Sequence, residues 1–78
     1  MNDTTPFRDI PQAVARADQR LTRLARRRVH RYTIDLELMC ETALQGGKHG
    51  VLVVWTGMEY RMTIDERVPF GVIWEKRT

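Results

Sequence analysis

Hydrophobic residues recur at helical spacing through the first part of the chain. Five of them follow one another at steps of four and three, namely Ile10, Val14, Ala17, Leu21 and Leu24. This spacing stacks them on one side of an α-helix, and Pro11 suits a first helical position. No glycine or proline marks an end, so we place it where the hydrophobic period changes, at Tyr32. The pattern predicts one long helix over residues 10–31, preceded by a loose tail at residues 1–9.

From Tyr32 onward the hydrophobic period becomes two. The apolar members of the alternation are Tyr32, Ile34, Leu36, Leu38 and Cys40. Alternation of this kind is typical of a strand with one buried and one solvated face. The stretch from residue 42 to residue 50 contains three glycines and is predicted to be a loop.

Residues 51–65 are predicted to form a β-hairpin around Gly57-Met58. A type II′ turn requires glycine at its first central position. The resulting register sets three apolar pairs on one face, Trp55 with Tyr60, Val53 with Met62 and Val51 with Ile64. The other face receives the mixed pairs Thr56 with Glu59, Val54 with Arg61 and Leu52 with Thr63. A last strand follows over residues 70–75, in which Phe70, Val72 and Trp74 share a face.

One helix and four strands predict an α+β fold of a single domain, residues 1–78. The long N-terminal helix would pack across a four-stranded antiparallel β-meander formed by residues 32–76. In this arrangement Leu52, Val54 and Ile73 lie on the sheet face that the helix does not cover. They form either an interaction surface or a set of scattered surface residues.

Composition bounds the class of protein. A chain of 78 residues, with 42% hydrophobic and 29% charged residues, suits one globular domain and argues against disorder. The longest apolar run, residues 51–55, is too short to cross a bilayer. Charged residues and prolines interrupt the first 15 positions, where a signal peptide would have an apolar segment. The single cysteine agrees with a reducing compartment. We therefore predict a cytoplasmic protein without membrane contact.

Catalytic and metal-binding patterns are not found. The chain has no serine, and Cys40 lies in the inward phase of its predicted strand, which favours a buried thiol over a nucleophile. His30, His49 and Cys40 lack the close ligand pair of a zinc site. Asp35 and Glu37 share a strand face, but in the outward phase, which favours a solvated acidic face over acid–base chemistry. We predict no enzymatic activity, no metal and no cofactor.

Charge is concentrated at the N-terminal side. Eight arginines and three acidic residues precede Tyr32, for a net charge of +5, whereas the rest of the chain carries −2. Five arginines recur at helical steps, one position before the apolar row: Arg16, Arg20, Arg23, Arg27 and Arg31. They would form a ladder about 22 Å long, roughly a quarter-turn from the apolar side. Guanidinium groups suit phosphate and carboxylate partners.

The arginine ladder predicts a small binding module that contacts a nucleic-acid backbone. The alternative is a protein-interaction or inhibitor module that docks an acidic protein partner, and a merely solvated helix face is also open. Small size and missing catalytic groups are typical of accessory proteins, including many encoded by phages. A homodimer through the last strand, residues 70–75, is possible if that strand forms an unprotected sheet edge.

Overall fold

The computed structural model describes residues 3–21, 26–57 and 59–78. In chain order the elements are β1 (Asp3–Pro6), a short 3₁₀ helix (Phe7–Asp9), α1 (Ile10–Leu21), α2 (Arg26–Gly46), β2 (Gly50–Thr56), β3 (Glu59–Asp65) and β4 (Val72–Arg77). These elements form a small single α+β domain, so the predicted fold class is confirmed at that level. The arrangement of the helices and strands differs from the prediction.

The single long helix predicted for residues 10–31 is wrong. Helix α1 ends at Leu21, and a second helix, α2, begins at Arg26 and extends well beyond the predicted end. Directly after α2, Gly47 takes a φ of +68°. Glycine reaches this left-handed conformation without strain, and it commonly ends helices in this way. The glycine-rich stretch that was predicted as a loop therefore begins with the last turn of α2.

The predicted strand over residues 32–41 lies inside α2. The alternation is ambiguous because every second member of a period-two row also recurs at a spacing of four, which is a helical spacing. The buried members of the row are Tyr32, Leu36 and Cys40. The other two, Ile34 and Leu38, are 39% and 57% exposed, as residues on the far side of a helix should be. Burial of Cys40 is confirmed.

The N-terminal residues predicted as a loose tail are part of the sheet. Strand β1 pairs antiparallel with β4, with Thr5 opposite Ile73, and Thr5 is fully buried. The Phe7 N–H donates to the Gly71 carbonyl at 2.8 Å, which ties the end of β1 to the start of β4. Strand β1 is short and polar, and its conformation comes from pairing with a distant strand. No local hydrophobic pattern therefore indicates a strand here.

The strand order is β1-β4-β2-β3. The pairs β1–β4 and β2–β3 are antiparallel, but β4 and β2 are parallel, so the purely antiparallel meander is wrong. The parallel pair arises because residues 66–71 carry the chain across the start of β2. At Gly50 a Cβ atom would lie 2.3 Å from the Pro69 carbonyl oxygen and 2.4 Å from that of Val72. This crossing therefore requires glycine at position 50.

The position of β4 also corrects the predicted route to a homodimer. Strand β4 lies between β1 and β2 and pairs with both. Residues 70–75 therefore cannot offer a free strand edge to a second molecule. The free edges of the described sheet belong to β1 and β3.

The register of the β2–β3 hairpin is confirmed. The strands pair Trp55 with Tyr60, Val53 with Met62 and Val51 with Ile64. Gly57 has a φ of +62°, the positive sign that the first central residue of a type II′ turn requires. Met58, the second central residue, lies outside the described residues.

Both helices cover one face of the sheet. Their buried side chains form one cluster with sheet residues of that face: Ala13, Ala17, Leu21, Tyr32, Leu36, Cys40, Ala43, Val51, Val53, Trp55 and Ile73. Ile73, predicted on the uncovered face, is therefore in the core, because β4 pairs it with Val51. On the opposite face Leu52 is only 7% exposed, and it lies beside Val68 and Trp74. The predicted apolar patch of Leu52, Val54 and Ile73 does not form.

Candidate functional site

The predicted arginine ladder does not form a single row, and Arg16 turns inward. The Arg16 Nε lies 3.1 Å from Glu75 Oε2, and its Nη2 donates to the Thr5 hydroxyl. A third oxygen, Asp3 Oδ2, lies 3.9 Å from Nε. The Arg16 side chain is 23% exposed. Its guanidinium group is therefore used within the fold, where it joins α1 to the two strands β1 and β4.

The remaining arginines of the ladder fall on two helices. Arg20 lies on α1, and Arg23 lies outside the described residues. Arg27 and Arg31 lie one turn apart near the start of α2 and are exposed. The structure thus keeps these two together on one surface and separates them from Arg16.

The exposed arginines of α2 line a shallow depression beside strand β3. Its lining residues are Arg27, Arg28, Arg31, Asp35, Glu59 and Tyr60. We call Arg27, Arg28 and Arg31 the arginine cluster. Sequence analysis did not include Arg28 in the ladder, because it falls in the apolar phase of a continuous helix. The separate start of α2 instead places it beside the start of β3, where Glu59 lies.

Two acidic residues partly neutralise the arginine cluster. Arg28 Nη2 lies 3.1 Å from Glu59 Oε2, and Arg31 Nε lies 3.6 Å from Asp35 Oδ1. The Arg31 and Glu59 side chains are 77% and 79% exposed, so water competes for both ion pairs. Exposed ion pairs contribute at most about 1 kcal/mol. An incoming anion can therefore replace either carboxylate at little cost.

Tyr60 orients one of these carboxylates. Its hydroxyl donates to Asp35 Oδ2 at 2.8 Å. Burial, and then the hydrogen bond to Asp35, raise the pKa of Tyr60 to about 12, so the ring stays a neutral donor at physiological pH. Asp35 and Glu37, predicted to share a strand face, are instead about 200° apart around α2. The structure therefore does not bring these two carboxylates together as an acid–base pair.

The electrostatics of the start of α2 favour an anion. A helix carries a partial positive charge at its N-terminus, which acidic side chains in the first turn usually balance. The first turn of α2 has no acidic residue, and Arg27 and Arg28 lie in it. The positive charges of the side chains and of the helix dipole consequently add. A bound phosphate or carboxylate would relieve this repulsion.

A buried polar network lies on the other side of α2, and sequence analysis did not find it. Glu75 is 2% exposed and accepts hydrogen bonds from the Tyr32 hydroxyl at 2.7 Å and from Arg16 Nε at 3.1 Å. The Tyr32 ring stacks on Trp55 with centroids 5.4 Å apart. Burial, then the charge of Glu75, raise the pKa of Tyr32 far above its ordinary value. Since the carboxylate is sealed from solvent and each of its oxygens accepts a hydrogen bond, this network holds α1, α2 and β4 together.

Metal-binding and membrane-spanning features are absent from the described ranges 3–21, 26–57 and 59–78. In these ranges no three His, Cys, Asp or Glu side chains converge as metal ligands. No helix there is long and apolar enough to cross a bilayer. Cys40 is buried, and burial raises the pKa of its thiol to about 11, which disfavours the reactive thiolate.

Comparison of the chain with protein-family models, with curated proteins and with solved structures finds no match. Its function must therefore be inferred from its own residues, and the arginine cluster is the surface with the clearest chemical preference.

Proposed function

We propose that the protein is a small non-enzymatic binding module that contacts the phosphate backbone of nucleic acid through the arginine cluster. The observation that carries this proposal is the exposure of Arg27 and Arg31 at a helix end without acidic residues in its first turn. Guanidinium groups form bidentate hydrogen bonds with phosphate oxygens. The positive end of the α2 dipole adds to the same attraction.

Binding of this kind would be insensitive to sequence and sensitive to salt. Arg27 and Arg31 are one turn apart, about 6 Å along the helix axis. Contacts to phosphates position a protein on nucleic acid without reading the bases. Each phosphate that a basic side chain neutralises steepens the salt dependence of the binding constant by about 0.9 in a double-logarithmic plot for a duplex. The carboxylates of Glu59 and Asp35 would be exchanged for phosphate oxygens on binding.

The proposal is tested by titrating labelled duplex and single-stranded oligonucleotides with the protein and measuring fluorescence anisotropy. The variant is Arg27→Glu/Arg31→Glu, and the matched control is Lys48→Glu/Arg77→Glu, which makes the same change of charge at exposed positions elsewhere. Measurements at about 50 and 200 mM salt give the salt dependence.

The cluster variant should lose at least about tenfold in affinity, and its double-logarithmic salt slope should become shallower by about two. The control should lose much less, because its substitutions alter the overall charge without removing the contacts. The proposal is refuted if the wild-type protein binds neither oligonucleotide at low salt. Equal losses in the cluster variant and the control would refute it as well.

An acidic protein partner is the second candidate, and a specific observation favours it. Ile34 and Leu38 are 39% and 57% exposed on the same side of α2 as Arg27 and Arg31, since the four positions follow at steps of four, three and four. A stripe that mixes cations and large apolar residues suits a protein surface with acidic and apolar groups. Nucleic-acid backbone offers nothing to the apolar members.

The variant Leu38→Ala separates the two candidates. Under the nucleic-acid proposal its affinity for oligonucleotides equals that of the wild type, whereas Arg31→Glu weakens binding. For a purified acidic partner protein, both Leu38→Ala and Arg31→Glu should weaken binding. Loss of oligonucleotide affinity in Leu38→Ala would count against a contact limited to the phosphates.

A further inference from the structure

Strand β3 ends the sheet with a row of unused backbone groups. The Thr78 N–H donates to the Trp55 carbonyl at 2.9 Å, so Trp55 directs its backbone groups toward β4. The direction of the backbone N–H and C=O groups alternates from one residue to the next along a strand. The even-numbered residues of β2 therefore face β3, where their partners are the odd-numbered residues from 59 to 65. Tyr60, Met62 and Ile64 consequently direct their N–H and C=O groups outward, and no described strand lies there.

The charged side chains along this edge can pair with those of a second copy of the same strand. On the face of the sheet away from the helices, β3 places charged side chains at alternate positions on both sides of Thr63, namely Glu59, Arg61 and Asp65. If two copies of β3 run antiparallel and cross at Thr63, Arg61 lies opposite Asp65 of the second copy. Two-fold symmetry repeats this contact, which gives two pairs of opposite charge. We propose that a second copy of this chain occupies the β3 edge in this register.

Neighbouring registers of the two β3 strands place like charges opposite each other or form no pair of opposite charge. Crossing at Met62 sets Glu59 opposite Asp65, and crossing at Arg61 sets that residue opposite itself. Crossing at Ile64 sets Asp65 opposite Thr63 and forms no pair of opposite charge. The two strands can also cross at a point between two residues. Each residue whose backbone groups point outward then lies opposite a residue whose backbone groups point toward β2, so no ladder of hydrogen bonds can form. Like charges directly opposite each other destabilise a strand pair. The charge pattern therefore selects the crossing at Thr63.

The helix-covered face contributes an apolar contact in the same register. Met62 lies opposite Ile64 of the second copy, and symmetry repeats the pair. Ile64 is 40% exposed. Met62 lines a groove at this edge together with Leu38 and Met39 of α2, into which the Ile64 side chain of the second copy would pack. The symmetric interface (isologous) then continues the sheet through both molecules, with all four helices on one face.

The acidic members of the edge already have partners within the chain. Asp65 accepts three hydrogen bonds from Arg67, from its backbone N–H at 2.8 Å, its Nε at 3.0 Å and its Nη2 at 2.9 Å. A carboxylate has about four acceptor positions, so one remains for Arg61 of the second copy. Glu59 is paired with Arg28, with Arg28 Nη2 3.1 Å from Glu59 Oε2.

A cysteine at the crossing point reports the register directly. In the proposed dimer Thr63 faces Thr63 of the second copy in a pair without hydrogen bonds, with Cα atoms about 4.5 Å apart. This distance lies within the range of disulfides, about 4.4–6.8 Å. The variant Thr63→Cys should therefore oxidise rapidly to a covalent dimer. The control Arg61→Cys should not, because its two cysteines would be about 13 Å apart along antiparallel strands.

Sedimentation equilibrium of the wild-type chain tests association without substitution. We expect a reversible monomer–dimer equilibrium, and Thr63→Lys should raise its dissociation constant at least about tenfold, since two ammonium groups would meet on the symmetry axis. Charges along a free edge also serve to prevent association. A wild-type chain that remains monomeric at all concentrations would establish that role and overturn the proposal. Arg61→Cys dimers that form as readily as Thr63→Cys dimers, or open-ended aggregates, would overturn it too.

Discussion

Replacing Glu75 by glutamine isolates the contribution of the buried polar network. The substitution keeps the volume of the side chain but removes its charge. The amide oxygen can accept from Arg16 Nε, which is 3.1 Å from Glu75 Oε2, and the amide nitrogen can then donate to the Tyr32 hydroxyl, which is 2.7 Å from Glu75 Oε1. In this orientation the Tyr32 hydroxyl proton loses its acceptor, and the Arg16 guanidinium group loses its buried counter-charge. Glu75→Gln should therefore replace a hydrogen bond between two charged groups by a weaker one.

The expected loss is about 2 kcal/mol of the free energy of unfolding. A hydrogen bond to a charged group contributes about 1.5–3 kcal/mol. Removal of one partner from a fully buried ion pair costs about 3–5 kcal/mol, because the other charge stays in the interior. Arg16 is 23% exposed, so water recovers part of its solvation and the loss falls below that range. For a domain of this size, about 2 kcal/mol lowers the melting temperature by roughly 8–16 °C.

Urea denaturation followed by tryptophan fluorescence measures this loss. The matched control is Glu37→Gln, the same chemical change at an exposed position of α2, which should stay within about 0.5 kcal/mol of the wild type. A double-mutant cycle with Arg16→Met should give a coupling energy of at least about 1 kcal/mol. If Glu75→Gln is as stable as the control, or the cycle is additive, the network does not stabilise the fold and our reasoning is wrong.

Three further predictions follow from burial and close packing. Gly50→Ala should lower the free energy of unfolding by about 2–3 kcal/mol in urea denaturation, because the new methyl group would overlap backbone oxygens of the β3–β4 connection. Gly46→Ala, where nothing lies within 4 Å, should change it by less than about 1 kcal/mol; equal effects would contradict the close approach. Burial raises the pKa of the Cys40 thiol to about 11. Alkylation of Cys40 should therefore be slow in the folded protein at neutral pH and fast in urea. Rapid alkylation of the folded protein would contradict this. Burial also raises the pKa values of Tyr32 and Tyr60, the latter to about 12, above the unfolded value of about 10. The two tyrosines therefore contribute their full stability below about pH 10, and this contribution falls as the pH rises through 12. A tyrosinate absorbance with a midpoint near pH 10 in the folded protein would refute this.

The elements that sequence analysis predicted correctly are those with local signals. The β2–β3 hairpin was predicted down to its register because a turn glycine and an alternating pattern on both sides specify it within fifteen residues. Strand β1 was missed because its pairing partner lies about seventy residues away. The alternation over residues 32–41 fits a strand and a helix alike, and the helix prevails because it buries Tyr32 and Leu36 against the hairpin.

The inward face of β4 was also ambiguous in the sequence. Both of its alternating rows contain large apolar residues, Val72 and Trp74 on one side and Ile73 on the other. The parallel pairing with β2 turns Ile73 inward, and Glu75 follows in the same phase. A buried carboxylate is an improbable expectation from sequence unless its cationic partner is known, and that partner lies 59 residues away on α1.

Arg16 and Arg31 belong to the same helical pattern in the sequence, yet the fold gives them opposite surroundings. Arg16 faces an acidic strand residue that only the position of β4 brings near, whereas Arg31 lies beyond the edge of the sheet, 77% exposed. Spacing along a helix determines which side chains share a side, but not what that side meets. The positive charge of the N-terminal half is therefore divided between holding the domain together and forming the exposed surface that we propose as a phosphate-binding site. Loss of binding on substitution of Arg16 reports unfolding, and only substitutions at Arg27 and Arg31 report on the surface itself.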